Sequence, residues 1–225
     1  RFDRTLPLGS VFTHLNGEHP GLALEPCAHD GRLRLPGGQP PVASAQYRAL
    51  LAIFSRGLQG MALSETWLDS LLALLESCTA NVPSSTYTGE SPDISLYDHL
   101  KITAAVGACI SEYLLDRGVV DLRTHVFQNE KAFRDEPAFL LYTADLSGIQ
   151  KFIYTVATKG AQKSLRSRSF FLEMLMEHYV DEVLQLCGLS RVNLIYSGGG
   201  HCYLLLPHTQ KALSAVQTVN DRTND

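Results

Sequence analysis

The order of apolar runs and turns after Pro137 limits what this chain can fold into more than any other feature. Phe139 to Ala144 is an apolar run bounded by Pro and Asp, and it predicts a buried strand because it is too short for a helix. Four further elements are predicted after it: a long helix over 164–186, strands over 191–196 and 202–206, and a helix over 208–219. This order is that of a βαββαβ unit without its last strand. The predicted fold class is therefore α+β, a helical bundle segment followed by an incomplete ferredoxin-like domain.

The first 137 residues predict a loop-rich connector followed by helices. Residues 1 to about 45 are rich in Gly, Pro and His, with turn signals and short strands expected at Val11–Leu15 and Leu33–Leu35. Apolar residues then recur at helical spacing. They predict three helices, over 47–58, over 64–77 and from Ser95 to Arg117. We place a domain boundary between residues 137 and 138, where the pattern changes.

The composition indicates a folded chain without a general attraction to nucleic acid. The chain has 225 residues, 45% of them hydrophobic, and a formal net charge of −4, so any contact with nucleic acid has to be local. Its five cysteines include no CxxC pair, which fits a reducing cytoplasm. No apolar run reaches the roughly 18 residues that cross a bilayer, and no membrane partner is expected. Because the chain starts at Arg1 and ends in polar residues, we expect a piece of a larger protein.

The densest polar signal follows the first strand of the second domain. Asp145, Ser147 and Gly148 come directly after the apolar run, in the sequence ADLSGIQ. A carboxylate, a hydroxyl and free backbone amides at one edge of a sheet are suited to hold a phosphate or a metal ion. The alternative is a helix N-cap, in which Asp145 or Ser147 satisfies backbone amides and Gly148 makes a tight bend.

Three cations lie within six residues at the predicted start of the long helix: Lys163, Arg166 and Arg168. Cations at the N-terminal end of a helix are unfavourable in the field of the helix dipole unless an anion is near. A bound phosphate would supply that anion. The alternative is a solvated basic face with no ligand.

A run of three glycines, Gly198, Gly199 and Gly200, separates the two predicted hairpin strands. Glycine tolerates positive φ, and the lack of side chains lets another molecule approach the backbone closely. The alternative is a tight hairpin with no binding role, for which one or two glycines are enough.

Asp98 and His99 are adjacent near the predicted start of the third helix. Imidazole and carboxylate groups both suit divalent metal ions, so the pair is a candidate for metal binding. Two adjacent ligands do not complete a site, and the alternative is a histidine satisfied at the surface or in the core.

Taken together, these segments resemble the large subunit of type III-A CRISPR (Csm) interference complexes. The resemblance covers roughly residues 45 to 210. Four segments carry it: PDISLYDHLK at 92–101, DLSGIQ at 145–150, LRSRSF at 165–170 and YSGGG at 196–200. The first resembles the stretch that links the family's HD domain to its first palm domain, and the others resemble successive landmarks of that palm. The chain departs from the family's pattern at three places: Leu100, Ser167 and His201–Cys202.

The resemblance implies a domain organisation. Residues 1–137 correspond to a connector and the C-terminal part of the HD-type domain, and residues 138–225 correspond to a truncated, nucleotide-binding first palm. The family's Gly-Gly-Asp-Asp turn, whose carboxylates hold the metal ions, belongs to the second palm, and no such sequence occurs in this chain. We therefore expect no catalytic residue in this segment and no activity from it alone.

The resemblance also implies an activity for the whole protein. When guide RNA pairs with a target RNA, two palms join ATP molecules into cyclic oligoadenylates. The ribose 3′-hydroxyl of one ATP attacks the α-phosphate of the other, and pyrophosphate is released. A divalent metal, Mg or Mn, assists, and the HD domain cleaves single-stranded DNA. The implied partners are guide RNA, target RNA, single-stranded DNA and the other Csm subunits. In this chain the resemblance assigns His99 to an outlying metal site and eight residues to the nucleotide: Asp145, Ser147, Gly148, Arg166, Arg168, Gly198, Gly199 and Gly200.

Two other functional classes stay open. One is a non-catalytic ferredoxin-like module that binds RNA or acts as a scaffold. Against it, the hairpin strands offer only Tyr196 and Tyr203 for base stacking and lack the paired exposed aromatics of RNA-binding sheets. The other is a stand-alone HD-type phosphohydrolase, for which a single Asp-His dipeptide is too little.

Overall fold

The computed structural model describes residues 1–12, 21–29, 32, 34–38, 42–64, 66–155 and 161–224. It divides the chain into two compact units, residues 1–103 and 104–225. This division falls inside a helix, whereas the sequence places a domain boundary after residue 137, which stays a prediction. No described helix combines the length and the apolar character that crossing a bilayer requires.

The first unit contains two short strands and two helices. They are β1 (Leu8–Gly9), β2 (Ala23–Leu24), α1 (Ser44–Gln59) and α2 (Trp67–Thr79), with β1 and β2 antiparallel. Both helices agree with the predicted ones to within three residues. The two expected strands are wrong wherever they can be checked: Val11 is helical, residues 34–35 are irregular, and residues 13–15 and 33 lie outside the described residues. Two-residue strands are too short to show the alternation on which such a prediction depends.

The predicted third helix is confirmed as α3 (Leu96–Asp116), which runs across the boundary between the units. Ser95 begins it: its hydroxyl accepts a hydrogen bond from the Asp98 amide at 3.0 Å and donates one to the Asp98 carboxylate at 2.7 Å. Ser95 is therefore a side-chain N-cap of α3, and the Asp98 carboxylate orients its hydroxyl. Two helical segments that the sequence analysis missed come next, a π-helical turn (Arg123–Gln128) and α4 (Glu130–Arg134).

The second unit is organised around a three-stranded antiparallel sheet with the spatial order β3–β5–β4. Its elements, in chain order, are β3 (Phe139–Asp145), α5 (Ile149–Tyr154), α6 (Ala161–Cys187), β4 (Leu194–Gly198), β5 (His201–Pro207) and α7 (Gln210–Asn224). The central strand β5 pairs with β3 from Phe139–Pro207 to Asp145–His201. Strand and helix order are those of the first five elements of a βαββαβ unit, and the α+β class is confirmed.

The two faces of this sheet have different environments. Alternate side chains of β3 and β5 pack against α6 and α7 around a core that includes Val180, Val183 and Leu204, none of them measurably exposed. The opposite face, called the open face below, carries exposed or half-buried side chains: Phe139, Leu141, Thr143, Asp145, Tyr196, His201 and Tyr203. Burial on one face and exposure on the other follow from the period of two along a strand.

The second predicted strand begins three residues later than expected. Residues Arg191–Asn193 form a 3₁₀ turn before β4. Arg191 pairs with Glu177 and, at 2.5 Å, with Asp181, both on α6. The fully buried Asn193 amide donates to the Leu205 carbonyl at 2.8 Å, so that a side chain extends the ladder where the backbone turns away.

Asn193→Ala is expected to destabilise the protein by about 1–3 kcal/mol, because the buried Leu205 carbonyl would lose its amide donor and keep only the weak donor of the Cys109 thiol at 3.4 Å. The free energy of unfolding from urea titration measures the effect. Gln217→Ala, which removes an exposed amide from α7, is the control and should change stability by less than about 0.5 kcal/mol. Equal stability of both variants would contradict this role for Asn193.

Candidate functional site

Two turns meet at one end of the sheet in the second unit. Asp145 ends β3 and lies opposite His201, which begins β5. The backbone amide of Leu146 donates to the Gly200 carbonyl at 2.8 Å. The polar turn after β3 and the glycine hairpin therefore lie side by side, as a binding site formed by both of them requires.

The glycine hairpin leaves free space on its outer side. Gly199 and Gly200 form a two-residue turn with φ of +63° and +83°, values that favour glycine. A Cβ at Gly200 would lie 2.1 Å from Ile149 Cδ1, whereas a Cβ at Gly199 would meet nothing within 4 Å. Gly198 has no positive φ, so the turn itself does not explain the third glycine.

The structure confirms one part of the helix-cap interpretation of the ADLSG segment, the tight bend at Gly148, but not the side-chain cap. The N-cap of α5 is Gly148, at φ +77°, and no side chain makes a capping hydrogen bond there. Asp145 is instead directed to His201, with Oδ1 3.3 Å from Nδ1. Ser147 is exposed. The hydroxyl thus faces solvent at the position where a ligand could reach it.

A cavity of about 300 Å³ lies beside the glycine hairpin on the helix side of the sheet. It is lined by the hairpin and by residues of two helices: Ser197, Gly198, Gly199 and Gly200, Ile149 and Ile153 of α5, and Ser169, Leu172, Glu173, Met176 and Glu177 of α6. Its charged lining is acidic, and the described lining residues include no Lys or Arg. A bare triphosphate does not suit such a lining, whereas a nucleotide carrying a divalent cation does.

Glu177, in the wall of this cavity, forms an ion pair with Arg191. Burial alone would lower the pKa of the Arg191 guanidinium, but the hydrogen bond to Glu177 and the charge of Asp181 outweigh burial and raise it. Arg191 therefore stays charged, and Glu173, exposed on α6, contributes the other carboxylate.

The structure does not bring the predicted arginines into the described cavity lining. Arg168 donates through Nη1 to the Phe152 carbonyl and, at 2.7 Å, to the Thr155 carbonyl, and its guanidinium lies 5.2 Å from the Phe152 ring centroid. It satisfies carbonyl groups at the C-terminal end of α5. Arg166 is exposed on α6. A role for either residue at a nucleotide stays a prediction.

His99 lies in the first unit, exposed on α3. The neighbouring Asp98 carboxylate is engaged in the cap with Ser95. Within the described ranges there is no group of three His, Cys, Asp or Glu side chains placed to hold a metal ion. Metal binding by His99 stays a prediction, and the described residues do not by themselves form a metal site.

Sequence reasoning missed a polar and aromatic cluster on the open face. His201 Nε2 lies 3.2 Å from the Thr143 hydroxyl, in addition to the Asp145 contact. The His201 and Tyr203 ring centroids are 4.8 Å apart, and those of Tyr203 and Tyr196 are 6.3 Å apart. Thr143 and Asp145 are 58 and 56 residues from His201 in sequence, and only the pairing of β3 with β5 brings them together.

Comparison with known proteins gives one consistent result. A family model for Csm1 subunit domain B matches residues 138–225. The chain is 44% identical over 227 aligned residues to the "CRISPR system single-strand-specific deoxyribonuclease Cas10/Csm1 (subtype III-A)" of Mycobacterium tuberculosis strain H37Rv. The alignment covers 100% of this chain and 28% of that relative. The chain thus spans a little over a quarter of the length of the curated relative that it matches.

Solved structures show the same similarity. A crystal structure of a Csm1–Csm4 cassette in complex with one ATP has a TM-score of 0.77, 32% identity, and coverage of 96% of this chain and 27% of that one. A Csm1–Csm4 cassette in complex with cA4 has a TM-score of 0.76 at 32% identity, covering 97% of this chain and 28% of that one. At this identity and coverage, fold and sequence point to the same family.

Gly200→Ala is expected to destabilise the second unit by roughly 2–4 kcal/mol, because it combines a strained positive φ with a clash against Ile149. Gly199→Ala carries only the φ cost, about 1–2 kcal/mol. Ile149→Ala should relieve part of the Gly200→Ala penalty in the double variant. Urea unfolding of the unsubstituted protein, Gly200→Ala, Ile149→Ala and the double variant measures this coupling. If the free-energy changes of Gly200→Ala and Ile149→Ala simply add in the double variant, the close packing of the two turns is contradicted.

Proposed function

The chain belongs to the Csm1 family of type III-A CRISPR systems, and on that premise we propose that it is part of a protein that makes cyclic oligoadenylates from ATP. In this proposal residues 138–225 are a nucleotide-binding palm that positions one ATP. The residues that carry out the chemistry lie on a second palm, outside this chain. Residues 1–137 are a connector and the C-terminal part of an HD-type domain.

The observation that carries the proposal is the contact between the Asp145–Gly148 turn and the glycine hairpin. Ser147 is exposed and makes no capping hydrogen bond to α5. Gly198 is explained by packing, since a Cβ there would lie 2.7 Å from Tyr196 Oη, whereas a Cβ at Gly199 would meet nothing within 4 Å. Exposed hydroxyl and bare backbone side by side suit close approach by phosphate oxygens. Family relatives solved with one ATP and with cA4 support a nucleotide as the ligand.

The acidic lining of the adjoining cavity defines the form of that ligand. Glu173 and the Arg191-paired Glu177 would repel a bare triphosphate, so the ATP is proposed to bind with its divalent cation, Mg or Mn. When bound, the cation would neutralise charge at the α-phosphate and at the pyrophosphate that leaves. This chain's own contribution is to bind and orient: Ser147 donates to a phosphate oxygen, and Gly199 leaves room for it.

The activities and partners of the whole protein are proposed from the family, because this chain spans only 28% of the length of the Mycobacterium tuberculosis relative. We propose that the whole protein cleaves single-stranded DNA, because the Mycobacterium tuberculosis relative is named a single-strand-specific deoxyribonuclease. The HD-type domain that the family resemblance implies is the proposed site of this cleavage. A Csm4-type subunit is the first proposed partner, because the similar structures are Csm1–Csm4 cassettes. Guide RNA, target RNA and the remaining Csm subunits are proposed to complete the assembly, in which RNA pairing controls synthesis.

A non-catalytic RNA-binding module is the second candidate, and one observation favours it. Tyr196 and Tyr203 lie opposite each other in the β4–β5 register, with 54% and 37% of their surfaces exposed. The sequence-based objection that paired exposed aromatics are lacking is therefore wrong. Sheets that bind RNA stack bases on such pairs, but they also provide cations along the backbone path, and the open face as defined above carries no Lys or Arg.

Substitution of Ser147 and Gly199 in the full-length protein tests the ATP proposal. Ser147→Ala is expected to lower cyclic oligoadenylate output by about tenfold or more, because a hydrogen bond to a charged oxygen is lost. Gly199→Val should lower it further through backbone strain and crowding. Product formation is measured by chromatography after target RNA is added, together with assembly of the guide-RNA complex, which should persist.

Two further variants separate crowding from misfolding. Gly199→Asn adds a side chain but tolerates positive φ and forms an Asn-Gly turn, so the fold should be kept while synthesis falls. Gly107→Ala, on an exposed part of α3 where nothing lies within 4 Å, should leave synthesis unchanged. Undiminished product in both Ser147→Ala and Gly199→Asn would refute the proposed site.

A further inference from the structure

The short helix α5 forms one wall of the cavity beside the glycine hairpin. Ile149 and Ile153 line the cavity from α5, and Ser169 and Leu172 line it from α6. At the start of α5, Ile149 lies so close to the hairpin that a Cβ at Gly200 would be 2.1 Å from its Cδ1. A helix of six residues is not stable in water by itself. The position of this wall therefore depends on what holds each end of α5.

Arg168 of α6 holds the C-terminal end of α5. Through Nη1 it donates to the Phe152 carbonyl and, at 2.7 Å, to the Thr155 carbonyl, and its guanidinium lies 5.2 Å from the Phe152 ring centroid. The Phe152 ring also lies next to Phe171 of α6, with centroids 6.0 Å apart. Hydrogen bonds from a charged donor are roughly twice as strong as neutral ones, and a cation suits the C-terminal end of a helix. We call Arg168, Phe152 and Thr155 the α5 clamp.

The α5 clamp engages Arg168 before any ligand arrives. Nη1 carries two N–H groups, and the two carbonyls account for both of them. One face of the guanidinium lies over the Phe152 ring, and the residue is half-buried. Arg168 is also outside the described lining of the cavity. A phosphate in the cavity would therefore have to draw the guanidinium away from contacts that it already makes.

From these contacts we propose that Arg168 is a positioning residue, which holds α5 in place as a wall of the cavity and affects the nucleotide through α5 without touching it. The inference rests on the proposed ATP site and deepens it, because it names what keeps the site formed before ATP binds. With the clamp intact, little ordering of α5 is left for the ligand to do. Without it, only a fraction of the molecules has the wall in place, and the apparent affinity falls by that fraction.

Hydrogen–deuterium exchange of the full-length protein without nucleotide tests the α5 clamp. Arg168→Lys keeps the positive charge but loses the planar guanidinium that donates to both carbonyls and stacks on the ring. The Phe152 and Thr155 amides, which donate to the Gly148 and Lys151 carbonyls, are expected to exchange about tenfold faster in this variant. Unchanged exchange of these two amides would overturn the inference.

Arg222→Lys is the matched control for this experiment. It makes the same change at an exposed arginine on α7 that pairs with Glu182 at 3.1 Å. Exchange of the α5 amides should be the same in Arg222→Lys as in the unsubstituted protein. Faster α5 exchange in both variants would show a general loss of stability and overturn a specific role for Arg168.

Phe152→Leu is a second and milder test of the α5 clamp. It removes the ring under the guanidinium but keeps an apolar side chain and the backbone carbonyl, so the fold should be kept. Because a cation over a partly exposed ring contributes modestly, exchange of the Thr155 amide should rise by roughly two- to fivefold, less than in Arg168→Lys. A larger effect in Phe152→Leu than in Arg168→Lys would contradict the guanidinium as the group that holds α5.

The kinetics of cyclic oligoadenylate synthesis separate positioning from direct contact with ATP. If Arg168 acts through α5, Arg168→Lys raises KM for ATP by about tenfold while kcat stays within about twofold, because bound ATP restores the wall. Arg222→Lys should change neither constant. A raised KM with unchanged α5 exchange would assign Arg168 to the nucleotide itself, which overturns the inference and leaves the ATP proposal standing. If α5 exchange rises in Arg168→Lys but the unsubstituted protein binds no ATP, the ATP proposal fails and the clamp stands.

Discussion

The antiparallel pairing of β3 with β5 is the interaction on which the rest of the second unit depends. It runs without a break from Phe139–Pro207 to Asp145–His201 and continues as a hydrogen bond between Leu146 and Gly200. A slip of one residue would turn every side chain of β3 to the opposite face. The register therefore decides three things together: which residues form the core, which two turns meet, and which polar groups lie beside the rings.

Much of this architecture could be predicted because its signals are local. Strands and helices can be predicted from short stretches of sequence, because apolar runs that end at Pro, Asp or Gly mark them. The order of these elements then limits the possible topologies. The glycine turn could also be predicted, since Gly199 and Gly200 adopt positive φ as such hairpins require. The start of β4 could not be predicted, because the buried side chain of Asn193 replaces a backbone group in the hydrogen-bonded ladder.

The roles of individual polar residues were harder to predict because they depend on tertiary neighbours. The sequence predicts a phosphate-binding role for Arg168, which stays a prediction, whereas the structure shows its guanidinium donating to the Phe152 and Thr155 carbonyls, 16 and 13 residues earlier. Asp98 looks like a metal ligand, yet it completes a cap with Ser95. For Asp145 the local alternative failed instead, since its partner is His201 on another strand. A charged residue beside a helix end has several local uses, and sequence alone does not rank them.

One edge of the sheet has a consequence for handling the molecule. β3 is an outer strand, and no described strand pairs with its free side, while Phe139 and Leu141 leave 40% and 68% of their surfaces exposed on it. Unpaired backbone groups next to apolar side chains are a template for joining strands from separate molecules. When no other strand or domain covers this edge, the protein will tend to self-associate as its concentration rises. A rise in solubility therefore indicates that the edge of β3 is paired or covered.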